Sequence, residues 1–260
     1  METNDQIRAV VAFYEDRADE HDRLAASALG QLELTRTTEL IERFLPEPPG
    51  PVLDVGGGTG PYAGWLAGLG YAVRLVEPVP LHVDQARARA AAGPAFEVSL
   101  GHAGELPVPD ASQAVVLMLG PLYHLPEPAD RARAWAESRR VLRSDGVVIA
   151  VSINQYAGLL DSLRHEFVDT GFGRVGYLHP AGQLADEAVA AGLDVAGVFG
   201  VEGPGCLVTD LDERWLDPEQ REAILDAARL VETEASLIGA SHHTLVVATR
   251  RPEAQGAVRA

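Results

Sequence analysis

The chain has 260 residues, 47% of them apolar, so it can bury an ordinary core as one large domain or two small ones. Its formal charge is −17, from 38 acidic and 21 basic side chains. A surface that acidic repels phosphate backbones and anionic lipids, which argues against sequence-independent nucleic-acid binding and membrane-surface binding. All 21 of those basic residues are arginine, so neither a lysine Schiff base nor a P-loop lysine is available.

Cys206 is the only cysteine, which excludes an internal disulfide and a cysteine-rich zinc site. Residues 1–6 lack the basic-then-apolar pattern of a signal peptide. The longest apolar runs, such as residues 114–119, fall far short of the about 20 residues that a spanning helix needs. The expectation is a soluble, cytoplasmic protein.

Residues 1–45 read as helical. Ile7, Val10, Val11, Phe13 and Tyr14 make one apolar stripe, and Leu32, Leu34, Leu40, Ile41 and Phe44 a second. The proline cluster at residues 46–51 ends that region. Strands and helices then alternate. Strands are predicted over residues 52–55, 72–76, 95–99, 114–119 and 147–153, and helices over 61–69, 81–92 and 129–142. The strands are apolar throughout rather than alternating, as expected of a parallel sheet covered on both faces. Residues 154–180 have weak periodicity and several glycines and read as an insertion or lid. A helix over 184–191, a strand over 195–201, a helix over 219–232 and a last strand over 244–249 follow, with 252–260 as a frayed tail. The helix within 211–240 is a packing element or covers a homodimer interface. This order predicts an α/β doubly wound fold.

The informative run is VLDVGGGTGP at residues 52–61: a strand, glycines at 56, 57, 58 and 60, and a helix start. Glycines there let the backbone turn sharply and approach a ligand at the carboxyl edge of the sheet. A dinucleotide fold needs Gly-x-Gly-x-x-Gly. From Gly56 and Gly58 its third position falls on Pro61; with Gly57 and Gly60 as the last pair, its first falls on Val55. The phosphate fingerprint fails in both registers. The pattern that fits is Asp-x-Gly-x-Gly-x-Gly, on Asp54, Gly56, Gly58 and Gly60.

With that pattern the chain resembles class I S-adenosylmethionine-dependent methyltransferases over roughly residues 30–155. The runs GGGTG, LVEPVPLHV, GPLYHL and GVEGPG are similar to an actinobacterial small-molecule group, some of whose wider relatives modify natural products. The resemblance implies a Rossmann-like seven-stranded sheet with its last strand antiparallel. It divides the chain into an N-terminal helical cap (1–45), a cofactor-binding core (46–153), a lid and acceptor insertion (154–182), the rest of the core (183–251) and a tail (252–260). It also assigns roles. Glu77, 21 residues after Gly56, is the acid for the ribose hydroxyls, with Pro78 beside it. His102 stands where the family often has an aspartate that accepts from the adenine amino group, and it accepts through one neutral nitrogen. Ala103 meets the adenine edge through its backbone N–H. Leu119 and Gly120 lie along the methionyl part. Tyr14 closes over the cofactor, and Arg23 or Arg36 meets its carboxylate.

His124, in GPLYHL just past the fourth strand, is the candidate base or acceptor orienter, with Tyr123 beside it. The bland alternative is a histidine that caps the next helix. Tyr177 and His179 are candidate acceptor contacts, and His165 is more exposed. His242 and His243 precede the last strand, where neighbours face opposite sides and make a poor metal pair. No catalytic metal is expected. The expected reaction is methyl transfer to an O, N or C nucleophile of a neutral or apolar metabolite. An NAD(P)-dependent oxidoreductase and a non-catalytic cofactor-binding module are the competing readings.

Overall fold

The computed structural model describes residues 3–15, 23–162 and 176–251. Its N-terminal region comprises helices α1 (Thr3–Glu15), α2 (Arg23–Ala26) and α3 (Ala28–Glu42). Ser27 starts α3: its extended backbone breaks from α2 and its hydroxyl accepts the Gly30 N–H.

Beyond the proline cluster come β1 (Pro51–Val55), α4 (Pro61–Gly68), β2 (Ala72–Glu77), α5 (Pro80–Ala92), β3 (Glu97–Leu100), β4 (Gln113–Met118), α6 (Pro128–Val141) and β5 (Leu142–Ile153). Helices α4, α5 and α6 each open on a proline, whose fixed φ suits a first turn where no N–H is needed. The chain continues through α7 (Ala157–Ser162), α8 (Gln183–Ala190), β6 (Leu193–Gly200), α9 (Leu211–Trp215), α10 (Pro218–Val231) and β7 (His243–Arg250).

The seven strands form one sheet in the order β3-β2-β1-β4-β5-β7-β6. The pairs from β3 to β5 are parallel, and β7 runs antiparallel to both of its neighbours. This is the expected Rossmann-like α/β sheet with an antiparallel last strand. The central strands are largely apolar because both of their faces are covered, whereas the edge strand β3 has no buried residue. Leu53, Val116, Met118 and Val148 pack with Trp135 of α6 and Leu184 of α8. Their neighbours Val52, Val115, Leu117 and Ile149 pack with Leu40 of α3, Leu66 of α4 and Ala86 of α5.

Three details differ from the pattern reading. Strand β5 starts five residues earlier than its apolar run, because α6 passes straight into extended backbone that pairs Leu142 with Gln113. Helix α9 has five residues, too few to show a period, yet it buries Leu211 and Trp215 against Leu32. The lid expected over 154–182 contains α7, while residues 163–175, with His165, and the tail at 252–260 lie outside the described residues.

Arg36 is fully buried and ties α3 to the end of α10. Its guanidinium bonds the Glu39 and Glu232 carboxylates, and its Nε donates to the Val201 carbonyl at 3.4 Å. Arg43 and Arg229 complete the network from its rim, on Glu232 and Glu39 respectively. The expectation that Arg36 meets a cofactor carboxylate is therefore corrected: each of its three guanidinium nitrogens has a partner inside the protein. Removing one partner of a buried pair leaves uncompensated charge. Arg36→Ala is predicted to lower unfolding free energy by about 3–5 kcal/mol, read as the shift of the urea midpoint at constant m-value. A loss below about 1 kcal/mol, the scale of a surface pair, would mean that Glu39 and Glu232 are held well enough by their rim arginines.

Candidate active site

A cavity runs along the carboxyl ends of the parallel strands, the edge at which open α/β sheets bind ligands. In sheet order, its wall is built by His102 and Ala103 after β3, Glu77 and Pro78 at the end of β2, and Asp54 with Gly56, Gly57 and Gly58 at the end of β1. Leu119, Gly120, Tyr123 and His124 follow after β4, then Val151 of β5 and His243 of β7. Helices α1, α2 and α3 roof it with Tyr14, Arg23, Glu33 and Thr37.

The glycine turn is fixed from two sides. Gly56 N–H donates to the Val76 carbonyl at 2.7 Å, and Gly58 N–H donates to Glu77 Oε2 at 3.0 Å. A Cβ at Gly57 would lie 2.4 Å from Asp54 Oδ2, so only glycine lets the turn cover that carboxylate. Gly58 has a φ of +57°, and a Cβ there would meet nothing within 4 Å, so bare main chain faces the cavity. Gly60 does not line the cavity; it is the left-handed N-cap of α4.

Two carboxylates sit at the bottom. Glu77 is 3% exposed and also accepts the Val79 N–H on Oε1 at 3.0 Å. Asp54 is fully buried, and neither of its oxygens has a hydrogen-bond partner among the described residues. Burial, with the charge of Glu77 beside it, pushes the Asp54 carboxyl up to about 7. An orphaned buried acid in a cavity wall is expensive unless something cationic or hydrogen-bond-donating covers it.

His102 accepts the Gly104 N–H on Nδ1 at 3.1 Å. The neutral ring therefore carries its proton on Nε2 and points a donor outward. The expected acceptance from an adenine amino group is corrected on this point: the accepting nitrogen is spent on its own loop.

His124 is tied to α1. Tyr14 Oη lies 2.9 Å from His124 Nε2, and Gln6 Nε2 donates to the His124 carbonyl at 2.9 Å. The Tyr14 ring also packs edge-on against His82. His82, missed in the residue reading although it stands in the run LVEPVPLHV, is 3% exposed and has Nδ1 3.5 Å from Glu77 Oε1.

Tyr177 and His179 do not line the cavity, contrary to expectation. Tyr177 donates to Gln183 Oε1 at 2.8 Å beneath the Arg131 guanidinium, and His179 has Nε2 3.6 Å from Glu187 Oε2. They belong to the packing of α6 against α8. Arg23 does line the cavity, forked onto Glu33 at 2.8 and 3.0 Å.

At the far end, Glu202 is 1% exposed behind His243. Glu202 accepts from the Ser241 hydroxyl at 2.6 Å, from the His243 N–H at 3.0 Å and from His243 Nδ1 at 2.5 Å. Burial works against both charges, but their mutual attraction wins, holding Glu202 down to about 2 and His243 up to about 9. Glu33, Glu202 and His243 bring one polar atom each within 4.8 Å of one another. A residue reading gives Glu33 and Thr37 only as an i, i+4 pair on α3. It gives His243 only as half of a histidine pair.

Comparison with known proteins matches residues 53–150 to a methyltransferase domain family. An uncharacterized methyltransferase of Mycobacterium tuberculosis is 38% identical over 123 residues, 46% of this chain and 48% of that one. The chain thus spans about half the length of the curated relatives it matches. A SAM-dependent methyltransferase structure from Thermotoga maritima overlays with a TM-score of 0.60 at 20% identity, covering 93% of this chain and 99% of that one. The 4+2 cyclase SpnF overlays with a TM-score of 0.58 at 20% identity, covering 83% and 80%. At these identities the overlays establish the fold, a Rossmann-like sheet, and residues 53–150 match the methyltransferase domain family.

Proposed function

We propose that the protein transfers a methyl group from S-adenosylmethionine to a small, neutral or apolar acceptor, with a natural product as the broad class. The observation that carries this is the pairing of bare main chain at Gly58 with two buried acids, Asp54 and Glu77, on one cavity floor. Such a floor suits a ligand that is cationic and rich in hydroxyls and carries no phosphate. The donor, when bound, supplies a methyl group already activated on a sulfonium. Glu77 keeps lone pairs for ribose hydroxyls while it holds Gly58 and Val79. Asp54 covers the positive methionyl end, and the Ala103 N–H meets the base. We assign the methionyl carboxylate to Arg23 in place of Arg36, because Arg23 lines the cavity even while it is forked onto Glu33. The protein itself does little bond chemistry: alignment of acceptor and methyl can supply about 7–11 kcal/mol of the barrier.

One observation favours a second reading, a cofactor-binding module without transfer. His102 offers the base a donor where the family this chain resembles often has an aspartate, which weakens the grip on an adenine amino group. A cyclase on the same fold also warns that the sheet does not choose the reaction. Calorimetry with S-adenosylmethionine, S-adenosylhomocysteine and NADPH is the first experiment. The adenosyl ligands are expected to bind and NADPH is not; NADPH binding alone would reverse the proposal.

Glu77→Gln is predicted to weaken S-adenosylhomocysteine binding by about 1–3 kcal/mol, the cost of losing charge-assisted hydrogen bonds. Unchanged affinity would place the ribose elsewhere.

Asp54 gives binding a pH dependence. Its carboxyl ionises at about 7 in the empty protein, and a cationic ligand favours the ionised form. Affinity should therefore rise with pH up to about 7 and level off above it. The predicted loss between pH 8 and pH 6 is about tenfold, and Asp54→Asn should flatten the profile.

Tyr14 and His124 form one latch between α1 and the turn after β4. Tyr14→Phe and His124→Gln are each predicted to speed S-adenosylhomocysteine dissociation several-fold in stopped-flow measurements. The double variant should be no worse than either, because both remove the same bond. Additive effects would mean that the two residues act separately.

A further inference from the structure

We propose that His243, held by Glu202, takes the proton of a phenolic or enolic hydroxyl at the acceptor end of the cavity, a role that rests on the methyl-transfer reading above. The argument starts with the order of the strands. The donor-side residues occupy the ends of β3, β2 and β1, with Leu119 and Gly120 after β4. The cavity does not stop there; it continues past β5 to β7. At about 4.8 Å per strand, β7 lies about 10 Å beyond β4, room for a small acceptor between its side chains and the end of β4. His243 is the residue of β7 that lines this end, next in sheet order to Val151 of β5.

The chemistry of the pair follows from its bonds. Glu202 sits behind His243, buried, with Nδ1 of the imidazole on Oε1. That bond fixes the tautomer and leaves Nε2 as the nitrogen for a ligand. The Ser241 hydroxyl and the His243 backbone N–H also donate to Glu202, so the carboxylate is locked in place. The charged groups that face His243 are Glu202, Glu33 on α3 and Arg23 on α2, with His242 adjacent in the chain. The two carboxylates and the Arg23 cation leave one compensating charge to be supplied; a protonated His243 supplies it, so the neutral ring that accepts a proton is populated as pH rises toward about 9. A buried acid that stabilises an imidazolium is what a proton acceptor needs at the moment of transfer.

The acceptor class follows from matching acidities. The bond to the Glu202 carboxylate makes this imidazole a stronger base than usual, which favours a hydroxyl as acidic as a phenol's, near 10. An aliphatic alcohol holds its proton far more tightly. In the step, the acceptor O–H breaks and its proton goes to Nε2. The oxygen gives an electron pair to the methyl carbon, and the carbon–sulfur pair leaves with sulfur. The proton then passes to water. Glu202 acts through His243 as a positioning residue.

The test combines three measurements on the full chain. First, proton–nitrogen NMR should show the His243 ring titrating near 9 in the wild type and at least one unit lower in Glu202→Gln. A ring that titrates at the ordinary histidine value in both would overturn the proposal. Second, His243→Gln and Glu202→Gln should bind S-adenosylhomocysteine within twofold of the wild type. If the wild type binds none, the methyl-transfer reading itself fails, which is a distinct result. Third, labelled methyl transfer is followed to 4-methylphenol, 2-naphthol, cyclohexanol and cyclohexylamine. The phenols should be methylated at a rate that rises with pH to about 9, and the acid limb should move lower in Glu202→Gln. His243→Gln should lose about 10²–10⁴-fold in kcat. Cofactor-bound enzyme that methylates neither phenol, or prefers the amine, would overturn the proposal. So would transfer abolished by a chelator, since Glu33, Glu202 and His243 would then be holding a cation.

Discussion

The site depends on one bond across two strands: the Glu77 carboxylate at the end of β2 accepting the Gly58 N–H of the turn after β1. That bond holds the turn at a positive φ while leaving its outer face bare. It also fixes the carboxylate, which Val79 N–H braces from the other side. A side chain at Gly57 would strike Asp54, so the turn can close over an acid only with glycine there. The result is a floor made of main chain and negative charge, with no lysine anywhere in the chain to neutralise it. An anionic phosphate would be repelled by such a floor, and a cation is drawn to it.

Much of this was legible in the residues because it is local. The strand, the glycines and Glu77 lie within 26 residues, and each has a reason that needs no tertiary contact. The α/β class followed from the alternation of apolar runs with helices, and the antiparallel last strand from the resemblance. What could not be read is whatever depends on which helix lands where. Arg36 looks like an arginine available to a carboxylate until α10 brings Glu232 against it. Tyr177 and His179 look like a lid until α8 supplies Gln183 and Glu187 as partners. His102 looks like an acceptor until its own loop turns Gly104 N–H onto Nδ1. In each case a polar side chain was spent on the protein before a ligand could use it.

The N-terminal helices contribute more than cover. Gln6 and Tyr14 both reach His124, and Tyr14 also packs on His82, which in turn stands beside Glu77. The same tyrosine thus touches the turn after β4 and the histidine next to Glu77. This position couples the roof to both halves of the cavity, and it explains why a histidine suited to titration is engaged as a tie. A His124 Nε2 already bonded to Tyr14 is a weaker candidate for proton transfer than a histidine backed by its own carboxylate.

The two halves of the cavity also differ in where they lie in the chain. Asp54, the glycine turn, Glu77, Ala103, Leu119 and Gly120 all fall inside the matched domain at residues 53–150. Tyr14, Glu33, Thr37, Glu202 and His243 fall outside it. A donor site must be the same wherever the donor is the same, whereas an acceptor site must change with each acceptor. On the proposed methyl-transfer reading, the matched segment holds the donor side of the wall. The same reading puts acceptor selection on the roof helices and the edge at β7. On that division, exchanging α1 to α3 and the β6–β7 segment between relatives would move acceptor preference and leave donor affinity in place.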